Sequence, residues 1–592
     1  MVTHTVDQVE KSGCFRPKPI RAAICMSFAF AVTSGAFAEP LTLTWSGGET
    51  GSFSDQSWSG TAEGHLSPQD GDTLVFAGGG TFTSDIPGLE VAELRFTSSA
   101  AVTVDGDEKI TVLRGGGVYS SGSGGVKILA PLQAGSDDEG DAASGGVTFA
   151  AVGNGRAITV SGVLSGSSPI GIGAAKGTVV FRGENTFTGK LSVTNGYFNA
   201  LGSSALGAGT EEAYFKTGNA DGGAKIGFYG VTVPMPVKNE SSGNVDEIGF
   251  RYQQGIPTET VFKDVFTTTK SVGWCVDSWA TVTFEKKLYV GTPTFTVRVG
   301  EGSTIKLMGA DSEIKDFVVS LKGSANWKGT LVVGSPLTLR SDSNWAASSP
   351  KFLSYYGTIR LETEDAFPHR PNTSVPLEWV PFEFGNDSYG NRLDMNGYSQ
   401  TFTCLRDRAK KESNIIASSE DCVLRLKQDI TQINPNALIP DFYGIIGGKV
   451  SLSVEGSDPL FLCGPNTSTG DMCLTNGAFA GFSEAGSWRG TNFTASAGST
   501  LVVSNTAVLA ENKNCIISLS DSPEQETRSC LLLGDGAYFA KSMTVDGEML
   551  HRGTWGSSES GATYVDDVHF KGPGTLRVAT GSPIRRFRIL IR

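Results

Sequence analysis

The sequence predicts an all-β fold of stacked rungs. Three observations carry that reading. A strand–turn–strand segment at 183–207 recurs downstream. Glycine is 76 of 592 residues, well above the usual ~7 %, with no Gly-x-y period. Long helical periodicity is absent, while short apolar runs bounded by turn residues are frequent.

The recurring segment is Gly183-Glu-Asn-Thr-Phe-Thr-Gly-Lys-Leu-Ser-Val-Thr-Asn-Gly196, closed by Ala205-Leu-Gly207. Val179, Phe181, Leu191 and Val193 alternate with polar neighbours, which is the period of a half-buried strand. Asn185 and Gly189 are expected to turn the chain through left-handed backbone angles. Asn195-Gly196 is expected to make a second turn. Variants place the same turn residues at Asn326 and Gly329, and at Asn466 and Gly470. A looser copy spans 486–498. One such unit cannot bury its apolar face alone; stacked neighbours bury it jointly.

These segments resemble the autotransporter-associated β-strand repeat, with its G-x-N-T-[YF]-T-G-x-[TL]-x-V core. Asp394-Met-Asn-Gly-Tyr-Ser-Gln-Thr-Phe402, Asn414-Ile-Ile and Tyr443-Gly-Ile-Ile-Gly-Gly-Lys-Val-Ser-Leu452 follow in the order usual for such repeats. The opening, Leu43-Thr-Trp-Ser-Gly-Gly48 to Phe76, resembles the segment often found before them. The stretch Leu531–Val578 resembles the closing one. Roughly a third of the chain is covered by recognisable units. The resemblance implies a right-handed parallel β-solenoid with capping strands, exported, with adhesion, surface coating or scaffolding as the typical roles. It implies no reaction. The expected organisation is a signal peptide at 1–38, an N-terminal cap and first rungs at 39–125, a solenoid with insertions at 126–390, and a repeat-containing region with its cap at 391–592. At about 22 residues per coil this makes at most about 25 coils, or ~120 Å of stacked strands. No C-terminal membrane barrel with ~10-residue alternating strands is visible, so a separate export machinery is expected.

Residues 14–38 read as a secretory signal. Arg16, Lys18 and Arg21 precede a short apolar run, Ala22 to Val32, and Ala36-Phe-Ala38 gives cleavage before Glu39. No later segment is long and apolar enough for a transmembrane helix. The net charge is −13; removing residues 1–38 takes away four basic and two acidic residues and leaves −15. Such a chain does not track phosphate backbones, so no nucleic-acid partner is expected. The expected partner is a cell-surface glycan or protein ligand.

Export also frames the cysteines. Six of the seven beyond the signal form sequence-local pairs: Cys404 with Cys422, Cys463 with Cys473, and Cys515 with Cys530. Disulfides are expected there in an oxidising destination. Cys275 is the odd one and is expected to be buried.

No catalytic set is expected, and no cofactor. Gly183…Gly189-Lys190 misses the phosphate-loop spacing, and Leu191 replaces the required Ser or Thr. His65, His369, His551 and His569 are scattered, with no nucleophile-elbow context. Asp137, Asp138, Glu139 and Asp141 form a weak Ca²⁺ candidate that lacks the Asp-x-Asp-x-Asp-Gly spacing; a solvated loop is the competing reading. Asp246-Glu247 and Asp566-Asp567 read the same way. Trp45, Trp58, Trp327, Trp345, Trp379, Trp488 and Trp555 are candidate sugar-stacking aromatics, against a packing role near the turns. The alternatives to a non-catalytic surface protein are a glycan-binding module and a polysaccharide-active enzyme on the same rod.

Overall fold

Parallel pairing dominates the chain. Strands of the described residues gather into sheets of 29, 15, five and four strands. The computed structural model describes residues 39–582 apart from 61–64, 136–144, 210, 217–224, 241–247, 270–272, 292–294, 311, 315–317, 322–328, 340–350, 355–356, 368–378, 380–381, 385–389, 408–411, 429–440, 484–485, 511–513 and 523–526. The chain divides into two compact units, Met1–Glu39 and Pro40–Arg592. In the second unit, among the described residues, the one α-helix is the five-residue Thr506–Ala510.

Most strands pair in parallel with one about 20–30 residues further on, and the apolar positions largely stay in register. One ladder carries Leu74, Leu94, Val118, Phe149, Ile172, Val193 and Phe215 opposite one another in succession. A second carries Phe82, Val104, Ile128, Val160, Phe181, Ala200, Phe228 and Phe250. A third carries Val233, Phe262, Phe284, Leu307, Val333 and Leu361. All of these side chains are buried in one continuous core cluster. Strand spacing of about 4.8 Å brings like rings face to face. Phe76 stacks on its register partner Phe96 at 5.1 Å, and Phe262 on Phe284 at 4.9 Å. Where the first ladder turns polar, Asn239 Nδ2 donates to Thr268 Oγ1 on the next strand at 3.3 Å. Both residues are buried, so the pairing meets the requirement that interior polar groups find partners.

The three antiparallel strand pairs among the described residues lie near the two ends of this unit. Thr42–Trp45 meets Trp58–Ser59, Ser542–Val545 meets Glu548–Met549, and Gly553–Gly556 meets Thr575–Val578. Ladders cross the expected boundaries at 125 and 390 without a break: Val102 pairs with Val126, and Thr358 with Arg392.

The turn residues of the repeat act differently from expectation. None of Asn185, Asn466, Gly189, Gly329 and Gly470 takes a left-handed φ; Asn326 lies outside the described residues. Asn185 is buried; its Oδ1 accepts from the Leu164 N–H at 2.9 Å and its Nδ2 donates to the Ala205 carbonyl at 2.7 Å. Asn466 repeats the contact, accepting from the Ile446 N–H at 2.7 Å. The glycines are set by close approach. A Cβ on Gly189 would stand 2.1 Å from the Ser168 carbonyl oxygen, and one on Gly470 would stand 2.4 Å from that of Val450. On Gly329 it would meet a Val299 methyl at 2.0 Å. So each of these two asparagines ties a neighbouring segment's backbone, Gly189 and Gly470 let adjacent backbone segments touch, and Gly329 makes room for the Val299 side chain. In Asn195-Gly196, Gly196 does take a left-handed φ of 85°, but inside the continuous strand Leu191–Leu201, where it marks a register irregularity rather than a hairpin turn. Asn476-Gly477, with φ of 55° and 77°, does turn the chain through left-handed angles.

The expected disulfides are absent: Cys275, Cys404, Cys422, Cys463, Cys473, Cys515 and Cys530 are all thiols. Register explains it. Phe402 stands opposite Leu426, about 13 Å along the strand from Cys422, and Cys404 continues away from it. Cys473 belongs to the 15-stranded sheet, whereas Cys463 follows a strand of the five-stranded one. Cys515 and Cys530 are divided between the same two sheets. Burial pushes the Cys515 thiol up to about 12.

Two predictions follow from this packing. Gly470→Ala lowers unfolding stability by about 1–3 kcal/mol, because the carbonyl it strikes is held by the ladder. Gly125→Ala, where a Cβ meets nothing, stays within about 0.5 kcal/mol of the parent or improves on it. Equal denaturant midpoints for the two variants would refute the close-approach account. Thiol counting on unreduced, denatured protein gives one reactive thiol for every cysteine, and Cys515 resists alkylation in the native chain at pH 8; missing thiols would show bridges.

Candidate functional site

The described residue group with metal-ligand character lies near the C-terminal end, where three local devices converge. Strands Ile516–Ser520 and Ser542–Val545 run parallel, with Leu519 opposite Val545, so Asp521 and Asp546 leave neighbouring strands side by side. Asp546 and Gly547 have φ of 52° and 79°, the left-handed pair of a tight hairpin turn. In this turn the Asp546 Oδ1 accepts from the Asp521 N–H at 2.7 Å. Asp566 opens a turn in which its Oδ1 accepts from the N–H groups of Val568 and His569 at 3.0 and 3.2 Å. That turn delivers His569 just before the strand Phe570–Lys571.

His569 then sits between two carboxylates. Its Nδ1 is 2.8 Å from Asp566 Oδ2, and its Nε2 is 3.2 Å from Asp521 Oδ2. The Asp521 side chain is only 2 % exposed, accepts from the Ser529 N–H at 3.0 Å and takes the Arg528 guanidinium at 2.5 Å. Burial works against ionisation of Asp521, but Arg528, the Ser529 N–H and His569 outweigh it and hold the carboxyl below its ordinary value. For Asp566, burial is likewise outweighed, by His569 and two backbone N–H groups. Burial disfavours the charged imidazolium of His569, yet the hydrogen bonds and charges of Asp566 and Asp521 prevail and raise it.

A cavity of about 610 Å³ adjoins this cluster, lined among others by Asp546, His551, Trp555, Asp566, His569 and Ser582. Trp555 stacks on Tyr564 at 4.7 Å and donates its Nε1–H to the His551 carbonyl at 2.8 Å. His551 Nδ1 and Ser582 Oγ are 2.9 Å apart. The Ser582 hydroxyl donates to the Met549 carbonyl at 3.0 Å, so its proton is already committed and the pair ties two chain segments rather than forming a nucleophile and base.

The other sequence candidates scatter. Asp137, Asp138, Glu139 and Asp141 lie outside the described residues, as do Asp246, Glu247, His369, Trp327 and Trp345. His65 is buried, with its Nε2 2.6 Å from Asp72 Oδ2, and Asp72 also accepts from the Leu41 and Gln69 N–H groups. Gly189-Lys190 leads into the strand Leu191–Leu201, not a helix, so it cradles no phosphate as a helix-capping loop would. Trp45, Trp58 and Trp488 are buried, and Trp379 is half-buried. Sequence reasoning passed over Trp279, which is 62 % exposed and held at φ 70°. It also passed over Asp521 and Asp546, which meet His569 across 48 and 23 residues of chain; the Asp-Gly hairpin dipeptide at 546–547 was the available signal. No family model matches the chain, and neither a curated protein nor a solved structure matches it.

The charged cluster gives stability a defined pH profile. The raised His569 contributes fully below about pH 6.5, its unfolded value, and its contribution is lost as pH climbs through the folded value. Depressed Asp521 and Asp566 contribute above about pH 3.9, and theirs is lost as pH falls through their folded values. Melting temperature measured in chelator should therefore plateau between about pH 4 and 6.5 and decline on both sides. His569→Gln should flatten the alkaline decline; an unchanged alkaline limb would exclude this residue as its source.

Proposed function

We propose that the unit from Pro40 onward is a right-handed parallel β-solenoid with capping strands, and that the chain is an exported, non-catalytic repeat protein of adhesion or envelope scaffolding. The observation that carries this is the recurrence of one contact set. Asn185 with Gly189 and Asn466 with Gly470 each tie and abut a backbone segment about 20 residues earlier. The in-register parallel ladders support the same reading, and the antiparallel pairs near both ends are suited to capping exposed strand edges. Among the described residues no helix is long and apolar enough to cross a membrane. The resemblance to autotransporter-associated repeats supports export and surface display, with a machinery supplied separately.

A glycan-binding variant of this reading has one observation in its favour. Tyr252 and Trp279 are both exposed, and they follow the register-paired strands Ile248–Phe250 and Gly273–Val276. Exposed aromatic faces on neighbouring strands suit the apolar face of a sugar ring. A left-handed φ at a bulky residue costs of order 1–3 kcal/mol and points to a constraint worth keeping.

Expression of the full chain in a Gram-negative host should yield exported protein beginning at Glu39; retention of an unprocessed chain in the cytoplasm would contradict the export reading. Screening that protein on glycan arrays and for reducing ends released from polysaccharides should give no cleavage; released product would overturn the non-catalytic reading. Any glycan binding should fall in Trp279→Gly, while the melting temperature holds or rises, because glycine takes this φ without strain.

A further inference from the structure

We propose that Asp521, Asp546 and His569 bind one first-row divalent cation, with zinc(II) the best match, through one imidazole nitrogen and two carboxylate oxygens. Three features together carry the proposal. Potential donor atoms of all three residues lie within 4.8 Å of one another. Asp521 Oδ2 and His569 Nε2 are 3.2 Å apart, close to the edge of about 3.4 Å that a tetrahedron with ~2.1 Å bonds requires. The third feature is orientation. The far nitrogen of His569, Nδ1, faces the Asp566 carboxylate at 2.8 Å. Metal-bound histidines are held this way, with the outward N–H on a carboxylate that fixes the ring and strengthens the ligand nitrogen.

The backbone fixes the donors before any ion arrives. Asp546 is placed by its hairpin turn, Asp521 by the parallel strand beside it, and His569 by the Asp566 turn. Asp546 and His569 also line the 610 Å³ cavity, so a fourth position on the ion is open to water from that side. The mixed imidazole and carboxylate set favours zinc-like ions over calcium, which takes six to eight oxygens. Arg528 is the built-in competitor. Its guanidinium occupies Asp521 Oδ2, and its side chain is 61 % exposed, free to swing into solvent when a cation takes that oxygen.

The test uses chelator-stripped, full-length protein titrated with zinc(II) in a calorimeter, with calcium(II) in parallel. One zinc site per chain is expected, with calcium binding at least about a hundredfold weaker. Asp546→Asn keeps the acceptor for the Asp521 N–H but removes the charge, and should weaken zinc at least about tenfold. Asp566→Asn, acting through the imidazole, should weaken it by about 10–100-fold. Arg528→Gln should strengthen zinc binding while lowering the melting temperature in chelator; a purely structural ion-pair cluster would show only the second effect. Cobalt(II) substituted for zinc should give no thiolate charge-transfer band, which separates this site from the cysteines. Absence of a site, equal affinity in the Asp546 and Arg528 variants, a thiolate band, or preference for calcium would each overturn the proposal.

Discussion

Parallel strands stacked about 4.8 Å apart leave no room at their corners for side chains that point along the stacking direction. That steric limit is the constraint on which the rest of the structure depends. At Gly189 and Gly470 the backbone passes so close to a neighbouring carbonyl that even a methyl group collides. Asn185 and Asn466, two strands' worth of chain apart from their partners, bind the backbone N–H groups that the corner would otherwise leave unpaired. With corners fixed, most inward apolar residues fall opposite another apolar residue, and one cluster runs from Leu43 to Val578. The aromatic stacks are a consequence: Phe76 on Phe96 and Phe262 on Phe284 follow from register, not from any separate recognition between rings.

This constraint also shapes what the surface can do. Side chains alternate in and out along strands such as Asp72–Phe76 and Thr304–Leu307, so the outward set forms rows. Chemistry concentrates instead where the ladders end. Near the C-terminal end the antiparallel hairpin at Asp546-Gly547, the Asp566 turn and the end of the strand Ile516–Ser520 break the regular rows. Asp521, Asp546, Asp566, His569 and Arg528 meet there, with a cavity beside them. A scaffold that caps its end with charged turns can hold a cation by the same geometry that terminates the stack. The proposed surface role and the proposed metal site are compatible on that basis: the first needs the length of the ladders and the second only their end.

Much of the fold was legible in the sequence. The alternation of Val179, Phe181, Leu191 and Val193 marked strands, and all four side chains are buried. Asn185 and Gly189 marked the corner, but their role was misread, because a propensity for left-handed angles and a need for close approach both select the same residue types. The long strand Leu191–Leu201 absorbs the Asn-Gly as a left-handed irregularity at Gly196, because stacking against Ile170–Phe181 continues on both sides of it. Between 231 and 390 the repeat's turn residues recur only at Asn326 and Gly329, yet the described strands keep register, carried by Phe262, Phe284 and Leu307. Cysteine spacing misled because sequence-local residues are set apart by register, as for Cys404 and Cys422, or by the change of sheet, as for Cys463 and Cys473. The site was hidden for the related reason that Asp521 and His569 are joined only by the path of intervening strands.

Small-angle X-ray scattering on residues 39–592 tests the proposed solenoid, in which about 20 successive rungs stack in one direction. In that proposal, stacking at ~4.8 Å makes a rod about 100 Å long with a radius of gyration of about 30 Å. The account predicts that value, with a distance distribution skewed by a long tail. A symmetric distribution with a radius of gyration near the ~24 Å of a compact chain of this length would contradict it.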